Sequence, residues 1–122
     1  MSPALHAIAA DCVFDGDTAH GKAAVLVAGD TIVALVPQAE MPAGANIERL
    51  PPGTWLAPGF IDVQVNGGGD VLFNDALDPE GIATMAAAHR RFGTTSLLPT
   101  LITDRPEKLE RGIASIRRLV HA

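Results

Sequence analysis

The pattern of hydrophobic and polar positions changes character near Pro58. Before it, short runs of aliphatic residues alternate with turns rich in glycine and proline. Residues 23–28 and 31–36 flank Gly29-Asp30 and predict a β-hairpin. Further short strands are predicted at about 4–9, 12–14, 47–50 and 54–57. The pattern therefore predicts a small β-rich domain over residues 1–57.

After Pro58 the pattern predicts strand, helix, strand, helix. A strand over 60–66 leads through glycines to a helix with Asp78 as N-cap, Pro79 at its first position and Gly93 at its end. A β-branched run over about 94–102 predicts the second strand, and a capping box of Asp104 and Glu107 begins the second helix. The residues expected to face the core are Ile82, Met85, Ala86, His89 and Phe92 in the first helix, and Leu109, Ile113, Ile116 and Val120 in the second.

This alternation predicts parallel strands joined by helical crossovers, and such strands are normally apolar on both faces. The strand over 60–66 departs from that rule on one face. Polar residues near the carboxyl end of a strand are typical of the active site of a (β/α)8 barrel, and a doubly wound sheet places its ligand at the same end. Alternation puts Ile61, Val63 and Val65 on the helix side, and Phe60, Asp62, Gln64 and Asn66 on the other.

Composition narrows the class of protein. With 122 residues the chain suffices for one domain with a core, and 48% apolar with 19% charged residues is typical of a globular protein. A net charge of −5 argues against nucleic-acid binding. The single cysteine excludes an internal disulfide. Since the sequence also has no signal-peptide pattern and no apolar run of membrane-spanning length, we expect a cytoplasmic protein without membrane contact.

Two motifs in order carry a family resemblance. "LAPGFIDVQVNGGGD" spans residues 56–70, and "FGTTSLLPTLITD" spans 92–104. Together they resemble the start of amidohydrolase-superfamily enzymes and, within that superfamily, of the N-acetylglucosamine-6-phosphate deacetylases. The superfamily carries a His-x-His pair on this strand. Here Gln64 and Asn66 occupy the two positions, a variant typical of one branch of the deacetylases.

The resemblance implies an α/β fold in two domains. Residues 1–57 would be part of a β-sandwich-like domain, and residues 58–122 the first two β/α units of an incomplete (β/α)8 TIM barrel, which needs about 250 residues. The family's metal ligands and catalytic aspartate come from later strands. The resemblance therefore implies the N-terminal third of an enzyme, with no catalytic residue and no metal held by this chain, and the isolated chain is expected to be inactive.

For the parent protein, the resemblance implies hydrolysis of N-acetylglucosamine 6-phosphate to glucosamine 6-phosphate and acetate. It further implies one divalent metal, expected to be zinc, and a homodimer. Two alternatives stay open. One is a non-catalytic α/β assembly or binding module, and the other is a different amidohydrolase such as a cyclic-amide hydrolase. The second usually keeps both histidines, which counts against it here.

Five residues are expected to line the pocket. Amides are weak, neutral oxygen donors, so Gln64 and Asn66 would hydrogen-bond to substrate or to a metal-bound water, or else merely satisfy each other. Gly67 would let the backbone turn beside the pocket, because no helix follows directly as a phosphate loop requires. Asp75 and Thr100 are further candidates for substrate contact.

Two further polar residues are assigned structural roles. Asp62 lies nearer the start of its strand, which favours a place at the base of the barrel. His89 lies on the apolar stripe of the first helix with no second ligand at helical spacing, so we expect a packed histidine rather than a metal ligand.

Overall fold

The structure is a computed structural model that describes residues 4–120. The chain divides into two compact units, Met1–Pro58 and Gly59–Ala122. The strands are β1 (Leu5–Phe14), β2 (Ala19–Ala28), β3 (Thr31–Pro37), β4 (Asn46–Arg49), β5 (Trp55–Leu56), β6 (Phe60–Val65), β7 (Gly67–Gly68), β8 (Val71–Leu72) and β9 (Thr94–Pro99), and the helices are α1 (Pro79–Arg90) and α2 (Pro106–Val120). The predicted α/β class is confirmed.

The first unit is a five-stranded sheet. Its strands lie in the order β3-β2-β1-β4, and β5 also pairs with β1. The hairpin predicted around Gly29-Asp30 is confirmed, with β2 and β3 antiparallel and Gly29 at a φ of +64°. The two strands predicted at 4–9 and 12–14 form one strand, because β1 pairs with β2 from Leu5 opposite Ala28 to Phe14 opposite Ala19.

Small residues fill the centre of this sheet. Ala10, Val13 and Ala23 are buried together, and larger aliphatic side chains pack around them. An apolar groove of about 300 Å³ also lies in this unit. It is lined by aliphatic side chains such as Ile8, Val27, Ile32 and Leu56. The sheet therefore carries apolar surface beyond what its own small core uses.

The second unit is built on a parallel pair of strands joined through α1. β6 and β9 pair in parallel, as the strand–helix–strand pattern predicted. The predicted start of α1 is also confirmed, because the backbone N–H of Gly81 donates to the Asp78 carboxylate at 2.7 Å and Pro79 begins the helix. Gly93 lies beyond the end of the helix at a φ of +94°.

The core of the second unit lies between α1, α2 and the segment after β6. Phe73, Leu77, Ile82 and Met85 are buried together, with Val71, Leu101 and Ile116 packed against them. Prediction of the second helix face was wrong in part, because Leu109, Ile113 and Val120 are exposed. The reason is that α2 approaches the core through small residues: Gly112 and Ser115 are buried, and the Ser115 hydroxyl donates to the Leu77 carbonyl.

Phe92, predicted to extend the apolar stripe of the first helix, lies beyond the end of α1 and is 78% exposed. The predicted capping box also lies one residue too early, since α2 begins at Pro106. The carboxylate of Asp104 instead accepts the N–H of Arg105 at 2.8 Å.

The face assignment for β6 was wrong in part. Val65 is buried as expected, but Ile61 and Val63 are each 69% exposed. The Asp62 carboxylate, expected on the opposite face from the helix, lies 3.8 Å from Nδ1 of His89 on α1. Within the described residues β6 pairs only with β9, so this two-stranded sheet leaves side chains of β6 uncovered, and a register shift between Asp62 and Val65 interrupts their two-residue alternation.

Candidate functional site

The candidate site lies where β6 and β9 end side by side. The Thr100 N–H donates to the Val65 carbonyl at 2.7 Å, and the side-chain amide of Asn66 donates to the Thr100 carbonyl at 2.7 Å. Parallel strands bring their carboxyl ends to one edge, which is why two predicted residues 34 positions apart become neighbours. Asn66 and Thr100 are both half-buried.

Gly67 begins a tight hairpin directly after Asn66. Gly67 pairs with Leu72 and Gly68 with Val71, so Gly69 and Asp70 form a two-residue turn. Both turn residues have a φ of +62°, the backbone geometry of a type I′ turn. The predicted sharp turn is thus present, and a hairpin rather than a helix follows the glycines.

Gln64 is exposed one residue before the buried Val65. Its backbone N–H donates to the Asp62 carboxylate at 3.1 Å. The Asn66 amide is directed to Thr100, so its nitrogen is engaged by backbone rather than by Gln64. A half-buried amide and an exposed amide therefore stand at the end of β6, where both can offer hydrogen bonds without adding charge.

Asp75 lies in a charged cluster at the same end of the unit. Its carboxylate is 3.5 Å from Nζ of Lys108, which also lies 3.0 Å from the carboxylate of Asp104. The amide of Asn74 donates to Asp104 at 2.9 Å. These contacts place Asp75 beside a cation, so any substrate contact by its carboxylate would compete with Lys108.

Hydrogen bonding sets the charge state of this cluster. The Asn74 amide, followed by the Arg105 N–H and Lys108, lowers the pKa of Asp104 from 3.8 to about 2. The neighbouring Asp104 carboxylate in turn raises the pKa of Lys108 above its usual value of 10.5. At neutral pH both groups are charged and paired. Lys108 was missed from the sequence, although its spacing of four residues from Asp104 was a usable signal.

His89 contacts the candidate site from α1. Its Nε2 lies 2.9 Å from the Gly67 carbonyl oxygen, and its Nδ1 faces Asp62. The expectation of a packed helix histidine did not anticipate this contact. Nothing in the local sequence around His89 points to Gly67, because the two residues are 22 positions apart and meet only through the hairpin.

Side chains that commonly ligate metals are dispersed within the described residues. Within residues 4–120, no three His, Cys, Asp or Glu side chains come close enough to share a metal ion. Gln64 and Asn66 are poor substitutes for such ligands, because neutral amides bind zinc weakly. The helices within 4–120 also lack the combination of length and apolar character that crossing a bilayer requires.

Comparison with known proteins defines the class. No protein-family model matches the chain. The structure superimposes on N-acetylglucosamine-6-phosphate deacetylase from Pasteurella multocida with a TM-score of 0.89 at 30% identity, covering 96% of this chain and 31% of that one. The Mycobacterium smegmatis enzyme gives 0.82 at 30% identity, covering 95% and 32%. Escherichia coli guanine deaminase, at 15% identity and a TM-score of 0.57, shares the fold alone, over 93% of this chain and 33% of its own. The chain thus shares the fold of about one third of a deacetylase of this type.

Sequence relatives narrow the class to one family. The curated N-acetylglucosamine-6-phosphate deacetylase of Haemophilus influenzae is 38% identical over 98 residues, which are 80% of this chain and 26% of the relative. N-acetylgalactosamine-6-phosphate deacetylase of a Shewanella species is 46% identical over 72 residues, 59% of this chain and 18% of the relative. The chain is therefore related to the N-terminal part of the N-acetylglucosamine-6-phosphate deacetylases, and it spans about a quarter to a third of their length.

Proposed function

We propose that residues 1–122 are the N-terminal part of a metal-dependent amidohydrolase that deacetylates N-acetylglucosamine 6-phosphate. Water would add to the acetyl carbon, the carbon–nitrogen bond would break, and the nitrogen would take a proton, leaving glucosamine 6-phosphate and acetate. One observation carries the proposal. A polar strand end, with Asn66 bound to Thr100, occurs in a chain that superimposes on the Pasteurella deacetylase with a TM-score of 0.89.

Within this function, Gln64, Asn66, Gly67 and Thr100 form the wall of the substrate pocket contributed by this chain. The two amides hydrogen-bond to substrate or to a metal-bound water, because each offers both a donor and an acceptor. Gly67 brings the backbone close to the pocket without a side chain. Asp75 contributes at the rim, with its charge shared by Lys108.

The architecture of the parent follows from the surfaces of the two units. In this proposal, the apolar groove of the sheet in Met1–Pro58 is covered by a second layer, which makes a β-sandwich. The β6–α1–β9–α2 segment is the first two units of a (β/α)8 barrel. A barrel of about 250 residues supplies the missing strands, the metal ligands and the general base.

The parent enzyme is proposed to hold one divalent metal, most simply zinc, which supplies an activated water when bound. It is proposed to act in the cytoplasm as a homodimer. None of the described residues is assigned a metal bond. The chain's own contribution is to form one side of the pocket and to offer hydrogen bonds there.

The test compares the 122-residue chain with the intact parent enzyme. With zinc and N-acetylglucosamine 6-phosphate, the parent should release acetate and the 122-residue chain should release none. Substituting Asn66→Ala in the parent should lower kcat/KM by about ten- to a hundredfold, as expected for loss of a hydrogen bond made to the reacting groups. Asn46→Ala, an exposed change in β4, serves as the matched control. Turnover by the 122-residue chain, or an inactive parent, would contradict the proposal.

A second substrate is favoured by a specific observation. The Shewanella relative, at 46% identity, is named for N-acetylgalactosamine 6-phosphate, which differs from the glucosamine compound only at one hydroxyl. The assay should therefore run both sugar phosphates side by side. A higher kcat/KM for the galactosamine compound would support the deacetylase reaction but make N-acetylgalactosamine 6-phosphate the preferred substrate.

A further inference from the structure

We propose that His89 is a positioning residue that fixes the candidate pocket wall through its hydrogen bond to the carbonyl of Gly67. The effect on turnover rests on the proposed deacetylase function. The effect on the backbone rests only on the contacts that His89 makes.

The hydrogen bond to Gly67 defines the proton on the imidazole. A carbonyl oxygen can only accept, so Nε2 of His89, at 2.9 Å from it, carries the proton and donates. Nδ1, 3.8 Å from the Asp62 carboxylate, forms an ion pair with it only when the ring carries a proton on both nitrogens. His89 and Asp62 have side chains 30% and 35% exposed, so water competes with these contacts only in part.

Asp62 holds the backbone on the other side of Asn66. While its Oδ2 faces His89, its Oδ1 accepts the backbone N–H of Gln64 at 3.1 Å. Asp62 thus holds the backbone at Gln64, two residues before Asn66, and His89 holds it at Gly67, one residue after Asn66. Because both flanking peptides are anchored, we expect the direction of the Asn66 amide to depend on these two hydrogen bonds.

The remaining contacts around Asn66 complete the anchoring. Its carbonyl accepts the N–H of Phe73 at 2.7 Å, and its side chain donates to Thr100. These bonds hold Asn66 itself, whereas His89 holds the peptide that follows. Removal of the His89 donor should therefore loosen Gly67 and Gly68 first and disturb Asn66 as a consequence.

The space beside the hairpin fits the imidazole closely. A Cβ built on Gly68 would lie 2.9 Å from Nε2 and 3.0 Å from Cδ2 of His89. The ring therefore packs directly against a residue without a side chain. Substituting Gly68→Ala should displace the ring and break the same hydrogen bond that a change at His89 removes.

The experiment uses the intact parent enzyme with two matched variants. His89→Gln keeps an N–H donor near the position of Nε2, whereas His89→Asn reaches only as far as Nδ1. Hydrogen–deuterium exchange over residues 64–73 is expected to rise about tenfold in His89→Asn, which is the effect of one lost hydrogen bond. In His89→Gln the exchange should change less than threefold, because the donor is kept. Arg90→Gln, an exposed change on the same helix, is the control and should leave the exchange unchanged.

Turnover is the second measurement. His89→Asn should lower kcat about tenfold with a smaller change in KM, because the pocket wall is misplaced during the reaction rather than removed. His89→Gln should keep most of the wild-type kcat. Gly68→Ala should lower kcat similarly, and combining it with His89→Asn should add little, since both break one contact. Equal exchange in His89→Asn and His89→Gln, or additive losses in the double variant, would overturn the proposal. A wild-type parent that releases no acetate would instead refute the deacetylase function, while the exchange comparison would still decide the role of His89.

Discussion

The side chain of Asn74 pairs with the backbone of Ile102 in both directions. Its Nδ2 donates to the Ile102 carbonyl at 2.9 Å, and its Oδ1 accepts the Ile102 N–H at 2.9 Å. The side-chain amide thus imitates the pairing of a neighbouring strand. It joins the segment after the glycine hairpin to the segment after β9.

Substitution of Asn74 should therefore loosen this junction. Asn74→Ala removes three hydrogen bonds, including the one to Asp104, and should reduce the free energy of unfolding by about 1–2 kcal/mol because part of the site is open to water. Asn74→Asp keeps the acceptor for Ile102 but places a like charge beside Asp104, so it should destabilise at least as much. Urea denaturation measures both. An unchanged midpoint in both variants would show that the pairing does not contribute to stability.

The pKa of Asp104 makes a pH-dependent prediction. Because the folded-state pKa is lowered from 3.8 to about 2, the carboxylate stabilises the fold above its unfolded pKa, and this contribution is lost as the pH falls through about 2. The stability difference between wild type and Asp104→Asn should be largest above about pH 5 and should shrink steadily below about pH 4. Lys108, with a raised pKa, loses its contribution only above its usual value of 10.5. Denaturation curves across pH, with a carbon-detected NMR titration of Asp104, measure this directly.

Gly67 should not tolerate a side chain. A Cβ at this position would clash with the Val71 carbonyl oxygen. That oxygen belongs to the backbone of the paired hairpin strand, so it cannot rotate away as a side chain could. Gly67→Ala should destabilise the second unit by about 2 kcal/mol or more, the range for strain at a close backbone approach. Gly44→Ala, where a Cβ would meet nothing within 4 Å, is the matched control and should be nearly neutral. Thermal unfolding compares the two, and similar melting temperatures would contradict the close approach of the two hairpin strands.

Met85 should dominate the core of the second unit. Its side chain is fully buried among Phe73, Leu77 and Ile82. Met85→Ala should reduce the free energy of unfolding by about 2–5 kcal/mol, since a cavity is left behind. Leu109→Ala, on the exposed face of α2, should cost less than about 1 kcal/mol. Denaturation of both variants tests whether the buried core around Met85 contributes more to stability than the exposed Leu109 face of α2.

The isolated chain should self-associate. β6 and β9 form a two-stranded sheet with exposed Ile61, Val63 and Leu98, and such a sheet leaves both apolar surface and unpaired strand edges. Sedimentation should show concentration-dependent oligomers for the 122-residue chain. Val63→Lys should reduce them, and Asp17→Lys, an exposed change in the first unit, should not. A monodisperse monomer at all concentrations would instead favour a self-contained, non-catalytic module.

Local signals in the sequence predicted a large part of the fold. The start and the end of α1 were predictable because Asp78, Pro79 and Gly93 act on neighbouring backbone groups. The hairpin at Gly29-Asp30 was predictable for the same reason. The polar residues at the end of β6 were also visible, since strand alternation and the following glycines are properties of one short segment.

Features that depend on several segments were not predictable. Ile61 and Val63 are exposed because β6 pairs only with β9 within the described residues. The packed face of α2 follows from how closely Gly112 approaches Phe73 and Leu77. Neither alters the local hydrophobic pattern, so alternation alone gave the wrong faces for Ile61 and Leu109.

By itself, the sequence determined where most of the strands and helices begin, where the chain turns, and which strand end carries amides, because these depend on interactions within a few residues. Only the tertiary structure decided that His89 holds Gly67 and that Asn74 holds Ile102. Those contacts join residues 22 and 28 positions apart. They exist because packing of α1 and pairing of β6 with β9 bring distant backbone groups within hydrogen-bonding distance, which no local pattern encodes.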